Sequence, residues 1–211
     1  MIFITFEGPE GSGKTTQIKL LVHYLKSRGI SVVETREPGG SEIAEKIREL
    51  LLDPRNKKMA APAELLLYLA SRAQHIKDKI KPSLEKGKTV ICDRFSDSTM
   101  AYQGYARGIS KQLIQSMNNF ATSGLKPDLT FYVDIDVDIG LRRARKRSGR
   151  KDRLELEKTS FHNKVRRGYL ALAEKEPGRI KIIRGNGTIE EISKQICFFT
   201  DKILKKRSGW K

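Results

Sequence analysis

Near the amino terminus, Gly8-Pro9-Glu10-Gly11-Ser12-Gly13-Lys14-Thr15 satisfies the pattern G-x-x-x-x-G-K-T, with Thr16 beside it. Residue types in this order bind phosphate. Glycines let successive backbone N–H groups converge on phosphate oxygens, and the amino end of a following helix adds partial positive charge. Lys14 then reaches the β and γ phosphates, and the Thr15 hydroxyl meets the Mg²⁺ that travels with a nucleoside triphosphate. The motif identifies a donor without naming a reaction, because motors, GTPases, regulators and small-molecule kinases all use it.

An acceptor site must come from elsewhere in the chain. Thr35-Arg36-Glu37-Pro38-Gly39-Gly40 is a turn sequence carrying a guanidinium, and Asp93-Arg94 opens the stretch Asp93-Arg94-Phe95-Ser96-Asp97-Ser98-Thr99. An adjacent carboxylate and guanidinium at the end of a buried strand are costly unless used. Tyr68 and Arg72 are four apart on a helical pattern and so share a face. Tyr68, inside Leu65 to Leu69, reads equally as core aromatic or as ligand contact. The segment 142–153 reads RRARKRSGRKDR, with eight basic residues and one acid. Arginines interspersed with Ser148 and Gly149 suit a mobile lid closing over phosphates.

The elements that must position these residues are legible as alternation. Ile2 to Phe6, Ser31 to Thr35, Thr89 to Cys92, Leu129 to Ile135 and Ile180 to Ile183 are short runs rich in Ile, Val, Phe and Tyr, each a predicted buried strand. Between them, apolar residues recur three and four apart, as in Ile18, Leu21, Val22, Leu25 and in Ile43, Ile47, Leu50, Leu51. The expected fold class is α/β, a five-stranded parallel sheet with helices on both faces, in a single domain over 1–211 with a lid segment near 142–153. Ligands of such sheets sit at the carboxyl ends of the strands, where the phosphate loop, Arg36 and Asp93-Arg94 all fall.

Composition narrows the class further. The 211 residues are 38% hydrophobic and 32% charged, which argues against both disorder and a membrane span. The net charge of +17 calls for anionic partners of unspecified kind. Two cysteines, Cys92 and Cys197, form neither a disulfide framework nor a metal-ligand spacing and fit a reducing compartment. Met1 to Phe6 lacks a basic leader, so the expected location is the cytoplasm. His23, His75 and His162 have no partner spacing and read as surface or packing residues.

Taken together, EGPEGSGKTTQ, TREPGG, LASR, DRFSDSTMAYQG, GLKPDLTFYVD, the arginine-rich segment and RRGYL resemble the thymidylate kinase family over nearly the whole chain. The resemblance implies a P-loop nucleoside monophosphate kinase fold and ATP-dependent phosphorylation of dTMP to dTDP. It implies that Arg94 holds the 5′ phosphate of dTMP, with Arg36 and Arg48 assisting, and that Asp93 sits near Mg²⁺. Tyr68 would stack on thymine, Arg72 would donate to a ring carbonyl, and Ser98, Thr99 and Gln103 would line the base. Tyr102 would close the pocket beside the sugar C2′, and Glu10 would lie near the 3′-OH. One subgroup of the family carries an arginine inside the phosphate loop; Gly11 stands there instead, which resembles the subgroup drawing that cation from the lid. Arg147 and Arg153 are the expected lid cations, among Arg143, Arg147, Arg150 and Arg153. The family is commonly homodimeric, and neither nucleic acid nor membrane is an expected partner.

Two alternatives remain at this point. A deoxynucleoside kinase also joins a phosphate loop to Asp-Arg, but its hydroxyl acceptor needs a carboxylate base after the second strand, where Glu37 is available. A nucleic-acid-associated ATPase would use the basic charge, yet the charge clusters at lid and tail and no recognition motif accompanies it.

Overall fold

The computed structural model describes residues 1–146 and 152–208. Five parallel strands, β1 (Phe3–Glu7), β2 (Val32–Arg36), β3 (Thr89–Asp93), β4 (Leu129–Asp134) and β5 (Ile180–Arg184), form one sheet in the order β2-β3-β1-β4-β5. All five predicted strands are present, shifted by a residue or so at their ends. Ile4 lies opposite Ile91 on one side and Leu129 on the other, so β1 is the hydrogen-bonded centre.

Both faces of the sheet are covered, and the side chains of β1 divide between them with the period of two that a strand imposes. Ile2, Ile4 and Phe6 pack with α1 (Lys14–Ser27) and α9 (Ile189–Ser208) through Ile18, Leu21, Leu25, Ile192 and Ile196. Phe3 faces the other way, against Phe95 and against Ile76 and Ile80. Those two isoleucines belong to a π turn, Ile76–Ile80, joining α3 (Ala61–His75) to α4 (Lys81–Glu85). Tyr132 of β4 stacks on Tyr169 of α8 (Thr159–Lys175), with ring centroids 4.9 Å apart.

Helix α2 (Glu42–Leu52) packs on α3, and α3 packs on α6 (Lys111–Thr122). After β3 comes the short α5 (Ser96–Thr99), which runs into a second π turn at Met100–Ala106. Helix α7 (Val137–Lys146) follows β4 and ends where the description breaks off.

Candidate active site

A cavity of about 630 Å³ opens at the carboxyl ends of β1, β2 and β3. The phosphate loop forms one wall. Glu10, Gly11, Ser12, Gly13, Lys14, Thr15 and Thr16 line the cavity, while Gly8 and Pro9 do not. Lys14 is buried at the first turn of α1, and its Nζ donates to the carbonyls of Gly8 and Pro9 at 3.0 and 3.1 Å. Burial, then the like charge of Arg94, lowers the Lys14 pKa. Asp93, the last residue of β3, also lines the cavity, and its Oδ1 is buried without a hydrogen-bond partner among the described residues. A buried orphan carboxylate oxygen and a helix-start hydroxyl, that of Thr15, lining one cavity are the oxygen chemistry Mg²⁺ takes. No cluster of three or more His, Cys, Asp or Glu suited to a metal occurs among the described residues.

Guanidinium groups gather in the same cavity. Arg94 follows β3 with a positive φ of 71°, unusual for a residue with a side chain. This backbone turns its side chain back over the loop, where it pairs with Glu10 and lies 5.4 Å from the Tyr102 ring centre. Ser98 and Tyr169 approach the same guanidinium at 3.5 and 3.4 Å. Arg36 ends β2 and pairs with Glu45 at 2.9 Å. Arg48, one turn from the end of α2, donates to the Pro38 carbonyl at 2.7 Å, and burial followed by the nearby Arg36 charge lowers its pKa. All three arginines line the cavity.

The third wall carries Tyr68, Arg72, Ser98, Thr99, Tyr102 and Gln103. Arg72 is 1% exposed, so every donor it turns away from the cavity needs a partner. Its Nε donates to Glu37 at 2.8 Å, and its Nη1 to Thr99 and Asn118 at 2.8 and 2.7 Å. The other Glu37 oxygen contacts His75 at 3.2 Å, and His75 reaches Thr35 at 2.7 Å. Both oxygens of Glu37 are thus engaged, by Arg72 and His75, in a residue that also lines the cavity. Tyr102 and Gln103, consecutive in sequence, both line the cavity because they stand in the π turn, whose wider spacing brings an extra side chain inward. Burial raises Tyr102, against the charge of Arg94, to about 12.

One of the two expected lid cations, Arg153, is not where the sequence put it. Arg153 is 5% exposed and does not line the cavity; it pairs with Glu64 at 2.6 Å and donates through Nε to the Leu51 carbonyl at 2.9 Å. A buried carboxylate demands a buried cation, and Arg153 serves that demand. Arg147 lies outside the described residues, as does Arg150. Arg143 of α7 lines the cavity instead.

Sequence reasoning gave no site role to three further polar cavity residues, Asp152, Glu155 and His162. His162 is 3% exposed with Nε2 unpartnered among the described residues, and burial lowers its pKa. Its neighbours come from distant segments, so spacing gave no signal. His23 is exposed and His75 is tied into the Glu37 network, in line with the surface and packing reading.

Comparison with known proteins decides the family. The profile described as "Thymidylate kinase" matches residues 6–196. The chain belongs to the thymidylate kinase family. It is 54% identical over 199 residues to the thymidylate kinase of Pelobacter propionicus, covering 92% of this chain and 91% of that one. It is 54% identical over 206 residues to the thymidylate kinase of a Sulfurihydrogenibium species, covering 98% of each. The crystal structure of thymidylate kinase from Ehrlichia chaffeensis superposes with a TM-score of 0.77 at 39% identity, covering 95% of this chain and 98% of that one. The five-stranded sheet is therefore the family's P-loop kinase fold, and the chain is a phosphotransferase of the nucleoside monophosphate kinase kind.

Proposed function

We propose that the protein transfers the γ-phosphoryl group of ATP to the 5′ phosphate of dTMP, giving ADP and dTDP. The observation that carries this reading is one cavity holding both a phosphate loop and the guanidiniums of Arg36, Arg48 and Arg94. A phosphate acceptor is already anionic at neutral pH, so no general base has to create the nucleophile. The obstacle is repulsion between two polyanions, and fixed cations in a cavity shielded from water relieve it.

In this reading Arg94 grips the dTMP phosphate, assisted by Arg36 and Arg48, since planar guanidinium meets phosphate oxygens two at a time. Lys14 holds the β and γ phosphates. The Thr15 hydroxyl and Asp93 would hold Mg²⁺, whose chemistry is charge neutralisation between phosphates. Tyr68 stacks on thymine, Arg72 donates to a ring carbonyl, and Ser98, Thr99 and Gln103 complete the base site. Glu10 lies by the sugar 3′-OH and Tyr102 closes the space a ribose hydroxyl would need. Arg143, a cavity residue, and Arg147 are the candidate lid cations over the transferring group.

Exposed Ile43 and Leu50 on α2, Leu66 on α3, and Leu113 and Phe120 on α6 support a homodimer through these adjoining helices, Phe120 being 89% exposed. Two free thiols, Cys92 and Cys197, support a reducing, cytoplasmic setting. No helix among the described residues is long and apolar enough to cross a membrane. An ADP-release assay over a panel of nucleoside monophosphates tests the proposal: dTMP is expected to be the preferred acceptor, and turnover with another monophosphate but not dTMP contradicts it.

A further inference from the structure

Glu64 is 0% exposed, yet it does not line the cavity. Its carboxylate collects three hydrogen-bond donors and a further ion pair. Gln103 Nε2 reaches Oε1 at 2.8 Å, Arg107 spans both oxygens at 3.2 and 3.1 Å, and Arg153 meets Oε2 at 2.6 Å. Burial alone would raise the Glu64 pKa, but the hydrogen bonds from Arg107 and Gln103 and the two guanidinium charges outweigh it and hold the group below the usual carboxylate range. Glu64 is therefore ionised and can only accept.

That single fact fixes an otherwise ambiguous side chain. A glutamine amide presents a donor at one end and an acceptor at the other, and rotation by half a turn exchanges them. With Nε2 committed to Glu64, Gln103 keeps Oε1, which bonds to no described residue, for whatever occupies the cavity it lines. Arg72 is fixed in the complementary sense. Glu37, Thr99 and Asn118 take Nε and Nη1, and Nη2 bonds to no described residue. The wall thus offers a donor from Arg72 and an acceptor from Gln103. A keto-imide pyrimidine edge presents the matching acceptor at O4 and donor at N3. The aminopyrimidine edge of cytosine presents the reverse.

We propose that Glu64 is a positioning residue for base specificity: it locks the Gln103 amide with its carbonyl toward the base and so sets the enzyme against aminopyrimidine nucleotides. This rests on the proposed function, and the test separates the two. dUMP and dCMP differ only at this edge, so the ratio of their kcat/KM values isolates it. In E64Q the residue at 64 can donate as well as accept, which frees Gln103 to rotate. The dUMP over dCMP ratio is expected to fall at least about fivefold, carried by KM for dUMP more than by kcat. A purely structural role would depress both substrates alike, and a ratio changed by less than that overturns the proposal. Wild-type enzyme that phosphorylates neither dTMP nor dUMP would instead overturn the proposed function. Should E64Q fail to fold, the wild type still decides. The Gln103 side-chain amide protons, assigned by their loss in Q103M, are expected to exchange slowly with water before any nucleotide is added. Rapid exchange would show that Glu64 does not hold the amide.

Discussion

Gly11 of the phosphate loop and Gly140 of α7 are in direct backbone contact: a Cβ on Gly11 would stand 2.1 Å from the Gly140 carbonyl oxygen. The converse holds too, since a Cβ on Gly140 would lie 2.7 Å from the Glu10 carbonyl. The helix that leads into the arginine-rich segment is thus seated on the loop that cradles phosphate. The contact also gives a physical reason for the glycine at position 11, where a side chain has no room and the φ of +72° disfavours one.

Gly11→Ala should therefore destabilise the protein by roughly 1–3 kcal/mol, the usual scale for forcing atoms into filled space. It should also weaken ATP binding more than dTMP binding, because the displaced backbone is the phosphate loop. Urea unfolding and calorimetric titration with each nucleotide measure the two effects; equal weakening of both nucleotides would argue against the seating.

Arg94→Ala should remove dTMP phosphorylation almost entirely, by about 10²-fold or more in kcat/KM for dTMP, while ATP binding is largely retained. The side chain is held over the loop by an uncommon backbone conformation and by Glu10, so its position is built in before substrate arrives. Undiminished turnover would place the acceptor phosphate elsewhere.

The lid arginines should separate by readout. Arg153→Ala leaves Glu64 short of a buried partner and should lower the thermal midpoint more than Arg143→Ala does. Arg143→Ala should lower kcat with ATP more than it lowers stability, since Arg143 lines the cavity. The reverse pattern in paired melting and kinetic measurements would return Arg153 to the reaction.

Glu7, at the end of β1, is buried beneath Arg94 and accepts from Phe95 N, Ser98 and Tyr169 at 2.8, 2.5 and 2.9 Å. Burial, reinforced by the Asp97 charge, raises its pKa from 4.5 to about 7. The folded protein therefore holds this proton where the unfolded chain has lost it. That contribution to stability is full below about pH 4.5 and disappears as pH rises through about 7. Relative to Glu7→Gln, which stays neutral, the wild type should lose unfolding free energy between pH 5 and pH 8. A pH-independent difference in urea unfolding would mean Glu7 is ionised throughout.

Much of this was legible in the sequence because it is local. Alternating apolar runs such as Ile2 to Phe6 marked the strands, and Gly8 to Thr15 marked the loop on its own. Arg36, Arg94 and Tyr102 could be placed because each follows a strand or belongs to a motif. What stayed hidden depends on three-dimensional pairing. Arg153 reads as one more lid arginine until Glu64, some ninety positions earlier, is seen to require it. The π turn at Met100–Ala106 leaves no periodic signature, yet it turns Tyr102 and Gln103 inward together. His162 reaches the cavity only because α8 packs across that turn.

The central claim is that the cavity joins two phosphorylated nucleotides end to end, and the most direct test offers the enzyme the same base with and without the acceptor phosphate. With ATP and Mg²⁺, dTMP should yield dTDP while thymidine yields no dTMP. Phosphorylation of thymidine at a rate comparable to dTMP would contradict the account.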